Sequence, residues 1–324
     1  MGMTKRARLF AAIQGTDLDR PPVALWRHFP GEDGKAETLA AAHVRFYREY
    51  DWDLLKVTPA SGYYGDDWGL HGGYKPNREG TRHYTDRPVK KPGDWALRPL
   101  DVTVGVYGRE LHALHLIRAQ LRDDVILSTI FSPLTIARTL CGEQALLRYL
   151  REDPEMLHRG LTTITEVTQR FAVETLNAGA DGVFFATQCA TTDYLSGEEY
   201  EEFGRPYDLQ VLDAAALAEM RFLHLHGANI MFDLVTDYPV DVIHWHDRQT
   251  PPSLGEARER FSGCLAGGLD QETLSRGTPE AVTAQVRDAV AQTGNARLIV
   301  AAGCVTFLET PAANLRAVRD AVTL

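Results

Sequence analysis

A single (β/α)8 barrel of the TIM type, in the α/β class, is the fold this sequence predicts, and three observations carry it. Short apolar runs alternate with amphipathic stretches almost from end to end, which is the pattern of repeated βα units. Eight such runs fall within 324 residues, a length that suits one large barrel as well as two smaller domains. No glycine-rich phosphate fingerprint follows the first run, where Trp26-Arg27-His28 stands, so a doubly wound sheet is the weaker alternative.

In chain order, strands are predicted at residues 23–26, 54–58, 125–130, 182–187, 221–226, 240–246, 264–268 and 298–302. Helical periodicity occupies 37–50, 154–178, 198–220, 279–293 and 311–322. Thr278 is placed to cap a helix with Pro279 in its first turn, and Thr310-Pro311 repeats the device. Between the second and third strands, residues 60–104 are rich in Gly, Tyr, Trp, Pro and charge. A connection that long is expected to cover a site.

Composition excludes several classes of function. With 34 Lys+Arg against 44 Asp+Glu the net charge is −10, and no basic cluster offers a nucleic-acid footprint. No apolar run approaches the roughly 20 residues of a membrane span, and Met1 to Arg6 leads into a helix-like segment instead of a signal core. The four cysteines, Cys141, Cys189, Cys264 and Cys304, form no CxxC pair, so buried thiols in a reducing cytoplasm are expected, with one available as a metal ligand.

Barrel chemistry sits at the C-terminal ends of strands, and there the sequence is rich. The runs end in Trp26-Arg27-His28, Thr187-Gln188-Cys189, His224-Leu225-His226, His244-Trp245-His246, Gly268-Leu269-Asp270 and Gly303-Cys304. Four of the 11 histidines are therefore at two neighbouring strand ends. His224 and His226 are two apart and share a strand face, as do His244 and His246. Converging with Cys304, they offer imidazole and thiolate ligands for Zn2+ or another divalent transition metal, with three ligands and an open position as the catalytic arrangement. The competing reading makes them hydrogen-bonded pocket residues that bind a substrate acid. On the metal reading, His244 or His246 serves as a fourth ligand, a ligand orienter or a general acid. Arg27 is a carboxylate clamp or an ordinary ion pair. Trp26, His28, Gln188 and Asp270 are candidate substrate contacts, and Tyr63 and Trp68 either line the pocket or pack the long loop.

Several blocks resemble the uroporphyrinogen decarboxylase superfamily, which also contains zinc-dependent methylcobamide methyltransferases. Arg20-Pro21-Pro22-Val23, followed by Arg27, looks like the entry motif. Leu195-Ser196 with Tyr200, Phe203, Pro206 and Tyr207 looks like the LSxxxYxxFxxPY segment. Gly268-Leu269-Asp270 with Gly277-Thr278-Pro279-Glu280 resembles GNLD…GTPEEV, and Glu309-Thr310-Pro311 with Asn314-Leu315 resembles ETPxENL. The resemblance implies the same (β/α)8 barrel, and a homodimer from the decarboxylase branch. It also exposes departures from that branch. Gly31 stands where a second arginine belongs, Asp53 lies about one residue off the catalytic aspartate, and Gly303-Cys304 replaces a terminal glycine-histidine-glycine.

The methyltransferase branch implies an HxC…C zinc motif, here His224, His226 and Cys304, with His226 in place of a cysteine. That NNS set widens the metal choice toward cobalt, nickel or copper. It also implies methyl transfer between a corrinoid, carried by a partner protein, and a small acceptor activated on the metal. Metal-free decarboxylation of a carboxylated substrate is the first alternative, with Arg27 holding a carboxylate. A tetrapyrrole- or corrinoid-binding module without turnover is the second.

Overall fold

The computed structural model describes residues 2–323. Its strands are β1 (Leu54–Lys56), β2 (His71–Tyr74), β3 (Arg82–Asp86), β4 (Val125–Phe131), β5 (Gly182–Thr187), β6 (Met220–Leu225), β7 (Val242–His244), β8 (Cys264–Leu269) and β9 (Leu298–Ala302). Seven of them form one curled parallel sheet in the order β1-β4-β5-β6-β7-β8-β9, while β2 and β3 pair as a separate antiparallel hairpin. Strand order follows chain order throughout the sheet, as successive βα units require.

Seven of the eight predicted runs are strands of this sheet, and the first is different. Residues 23–26 do not form a regular strand; Val23 makes one parallel bridge to Val300. Ala24 donates its N–H to the Val300 carbonyl at 3.0 Å, and the Asp53 N–H donates to the Val23 carbonyl at 2.8 Å. The segment thus bonds to both edges of the sheet, to β9 and to the residue ahead of β1. Pro21 and Pro22 lack the N–H groups that would extend the ladder toward the N-terminus. The helix predicted over 198–220 is two helices, Gly197–Phe203 and Arg205–Ala214. The break falls at Gly204-Arg205-Pro206, where Pro206 removes a helical donor and opens a new first turn. The segment 60–104 carries a four-residue helix, Tyr63–Asp66, the β2–β3 hairpin and a 3-10 turn at Pro92–Trp95.

Alternation along the strands separates two cores. Leu54, Leu127, Phe184, Phe222, Val242 and Ile299 point inward and pack together beneath Trp26. Leu55, Val183, Phe185, Leu223, Ile243 and Val300 point outward against the helices. The inward parity continues past the packed layer, so Lys56 follows Leu54, His224 follows Phe222 and His244 follows Val242 on the inner face.

At the opposite end, a buried ion network holds the N-terminal segment to β1. Asp53, fully buried, accepts from Arg8 Nη1 at 2.7 Å, Arg20 Nη1 at 2.6 Å, Arg20 Nη2 at 2.9 Å and the Val23 N–H at 2.8 Å. Asp19 also pairs with Arg8, but its side chain is 31% exposed. Replacing Asp53 with Asn should cost about 3–5 kcal/mol, because the buried Arg20 guanidinium loses its carboxylate partner and Arg8 loses one of its two. Urea denaturation should show that loss as a lowered midpoint, larger than the loss for Asp19→Asn.

Candidate metal and substrate site

Four donor side chains meet at the C-terminal end of the sheet. His224 comes from the end of β6. His226 follows it, its N–H donating to the Thr187 carbonyl at 3.0 Å and so continuing the ladder with β5. His246 follows β7, and Cys304 lies just past β9. One ligand atom from each of the four lies within 4.8 Å of all the others. The Cys304 Sγ is 3.7 Å from His224 Nε2 and 3.7 Å from His226 Nδ1.

Burial and mutual proximity set the charge of this cluster. His224 is held neutral well below the ordinary histidine range by desolvation and by the neighbouring imidazoles. His226 falls to about 3 through burial, with the His246 ring and the Arg138 guanidinium adding to it, and burial also lowers His246. Burial pushes the Cys304 thiol up to about 12. His224 Nδ1 and His246 Nε2 are buried polar atoms with no hydrogen-bond partner. Neutral imidazoles and a thiol with one donor atom each inside one small sphere fit a borderline divalent metal. His244 has a different role from His246. Its Nε2–H donates to the Ala302 carbonyl at 2.6 Å, and its ring lies 4.6 Å from the His224 ring, fixing that imidazole from behind.

The cluster opens into a cavity of about 430 Å³. Trp26, His28 and Gln188 line it, together with His224, His226 and Cys304. The remaining predicted contacts lie elsewhere. Arg27 is half-buried outside the cavity, its guanidinium 5.8 Å from the Phe29 ring centre. Trp26 turns inward, so Arg27, the next residue, faces away. Tyr63 is core, donating to the Thr129 carbonyl at 2.9 Å, and its neighbour Tyr64 lines the cavity instead. Trp68 Nε1 donates to the Arg98 carbonyl within the loop. Asp270 caps the helix Gln271–Arg276, accepting from the Thr273 N–H at 3.0 Å. Asp53, near the decarboxylase aspartate in sequence, is committed to Arg8 and Arg20 at the far end of β1.

Sequence reading passed over Lys56, Glu79 and Arg138, all of which line the cavity. Lys56 was signalled by its strand-end position, whereas Glu79 and Arg138 carry no local signature. Arg138 Nη2 donates to Gln188 Oε1 at 2.7 Å and stacks over Tyr194. Burial lowers Lys56 to about 7.

Because the imidazoles are already neutral at ordinary pH, only the thiol must lose a proton to take a metal. Metal affinity should therefore rise about tenfold per pH unit between pH 6 and 8, the slope of one proton released. Competition titration against a chromophoric chelator measures it, and a slope near two or three would mean that the histidines also titrate.

The model of the uroporphyrinogen decarboxylase (URO-D) family matches residues 4–323. A methylated-thiol–coenzyme M methyltransferase from Methanosarcina mazei is 25% identical over 59% of this chain, a match that spans only 51% of that protein. The methylcobamide:CoM methyltransferase MtaA of Methanosarcina barkeri is 23% identical over 97% of this chain and 96% of its own length. A chloroplastic uroporphyrinogen decarboxylase from rice is 24% identical over 97% of this chain and 86% of its own. Among solved structures, a methyltransferase from Methanosarcina mazei superposes with a TM-score of 0.86 at 20% identity, covering 98% of both chains. With the family pattern running from residue 4 to residue 323 on this fold, the chain is a member of the uroporphyrinogen decarboxylase (URO-D) family.

Proposed function

We propose that this protein is a metal-dependent methyltransferase that moves a methyl group between a corrinoid, held by a partner protein, and a small thiol or oxygen acceptor. The observation that carries the reading is the convergence of donor atoms of His224, His226, His246 and Cys304 within 4.8 Å, with His224, His226 and Cys304 lining a cavity. Whole-length similarity to a named methylcobamide methyltransferase supports it. The decarboxylase alternative is weakened by the positions of Arg27 and Asp53, neither of which reaches the cavity. The same reading takes residues 22–24 as the eighth position of a closed barrel, with the strand ends ringing one mouth where a carrier can dock.

His224, His226 and Cys304 would hold zinc or a similar divalent ion, with His246 as the fourth donor or as the group beside the open position. A bound ion of this kind supplies Lewis acidity, which lowers the pKa of a thiol or alcohol beside it. The chain's own residues do the rest. His244 orients His224 from behind, while Trp26 and Phe184 keep the floor dry. Arg138 and Gln188 form a polar wall opposite. A corrinoid carrier at the mouth would supply the methyl group, and the acceptor, its proton lost to solvent, would supply the electron pair that takes it.

Zinc-loaded protein mixed with methylcobalamin and a small thiol should form cob(I)alamin, followed by its visible absorption under anaerobic conditions. Cys304→Ser should lose at least about 100-fold in metal affinity, the upper range for losing even an outer-shell partner of a ligand, and should lose methyl transfer with it. Cys189→Ser and Cys264→Ser, at buried positions outside the cluster, should keep their metal. Equal rates from metal-free and metal-loaded protein would refute the proposal.

A further inference from the structure

Lys56 is the one cavity-lining cation that is less than a tenth exposed and, among the described residues, without a carboxylate partner. It ends β1 on the inward face and is only 7% exposed. Its Nζ donates to Thr58 Oγ1 at 3.3 Å and lies 4.7 Å from the Phe184 ring centre and 5.9 Å from that of Trp26. The titratable groups whose fields reach it are His28, His43, His224, His244 and Cys304. All five are neutral at ordinary pH. Glu79, the carboxylate that acts on Cys304 from the loop side, has no charge partner in Lys56, and burial alone raises it. A buried ammonium with only a hydroxyl and two aromatic faces around it lacks the counter-charge that buried cations ordinarily have.

The backbone that follows this lysine is held firmly. The Thr58 N–H donates to His43 Nε2 at 2.7 Å, and His28 Nδ1–H donates to the Pro59 carbonyl at 3.1 Å. A lysine fixed at that spot, on the wall beside the donors and brought down to about 7 by burial, becomes fully charged when an anion enters the cavity beside it.

We infer that Lys56 supplies the counter-charge for the anion that occupies the open position beside His224, His226 and Cys304, namely the deprotonated heteroatom of the acceptor. The inference rests on the metal-dependent reading of the site. It also predicts two effects of opposite sign. An ammonium near a divalent ion repels it, whereas the same ammonium attracts the anion that the ion recruits. Removing the charge should therefore leave metal binding as strong or stronger, and weaken only the anion.

The test uses the full chain loaded with Co2+, whose visible d–d bands report metal binding, and 2-mercaptoethanol as the probe, whose thiolate-to-cobalt absorption reports anion binding. Lys56→Met should bind Co2+ at least as tightly as wild type and 2-mercaptoethanol about 10- to 100-fold more weakly, the range for a lost charge-assisted contact. Lys56→Arg should retain most of the thiol affinity. Lys56→Gln, equally uncharged, carries the same test if the Met variant does not fold. Wild-type thiol affinity in a neutral variant that holds cobalt overturns the inference and leaves the metal site standing. Loss of cobalt from folded neutral variants also overturns it, because Lys56 would then be a structural support. A wild-type protein that takes up no cobalt at all overturns the metal reading and this inference together, and does so before any thiol is added.

Discussion

The carboxylate of Asp53 is the interaction on which the rest of the molecule depends. It accepts four N–H groups, three from Arg8 and Arg20 and one from Val23, while its own N–H donates to Val23. Residues 22–24 have too few backbone donors to join the sheet as a regular strand, since two prolines precede Val23. The ion network does for them what a ladder cannot. Two charges on helix and loop are drawn to one buried acid, and the segment between them is placed against both sheet edges. Buried ion pairs seldom add net stability over apolar packing, but they specify geometry, because a misplaced partner leaves a bare charge inside. Trp26 then lands on the inner core, and the floor of the cavity is complete.

Above that floor, desolvation sets the chemistry. The protein as a whole is acidic, with a net charge of −10, yet the inner face of β6 and β7 presents neutral imidazoles. Phe184 and Phe222 stack beneath them at 5.0 Å, and Trp26 meets His244 edge-on at 5.2 Å. In such surroundings a protonated histidine is costly, so each ring keeps a free lone pair. Those lone pairs are what a metal ion requires. The thiol of Cys304 is likewise protonated when alone, so the site is a neutral set of ligands that becomes charged only as an ion enters.

The long segment between β1 and β4 supplies the cavity's outer side. Arg78 pairs with Glu272 and Glu309, which follow β8 and β9, and its guanidinium lies 4.0 Å from the Phe307 ring centre. The Leu308 N–H donates to the Arg78 carbonyl at 2.7 Å. Gly80 is packed so closely against His28, Pro30 and Leu308 that a Cβ there would crowd all three, and its φ of +79° favours glycine as well. The next residue after Arg78 is Glu79, which this anchoring carries into the cavity. A connection of this length thus acts as part of the site, reaching across the mouth from one side of the sheet to the other.

Much of this was legible in the residues. Apolar runs of four to six residues mark β5, β8 and β9, because a strand buried on both faces is mostly apolar. The spacing of His224, His226, His244 and His246 placed two pairs of imidazoles at neighbouring strand ends, since side chains two apart share a face. Two errors had local causes: a bridge at Val23 read as a strand, and a helix broken at Gly204 and Pro206 read as continuous. Other features depend on where separate parts of the chain come to rest. Arg27 and Asp270 stood beside strand ends in sequence, yet one turns outward and the other caps a helix. Glu79 and Arg138 face the cavity from a loop and a helix with no motif to announce them. Sequence periodicity determines which face of an element is buried, because alternation follows from backbone geometry alone. Which side chains meet in the cavity, and that His246 joins the donor cluster while His244 bonds to the Ala302 carbonyl, was decided by the tertiary structure, because distances between elements depend on packing that no single element contains.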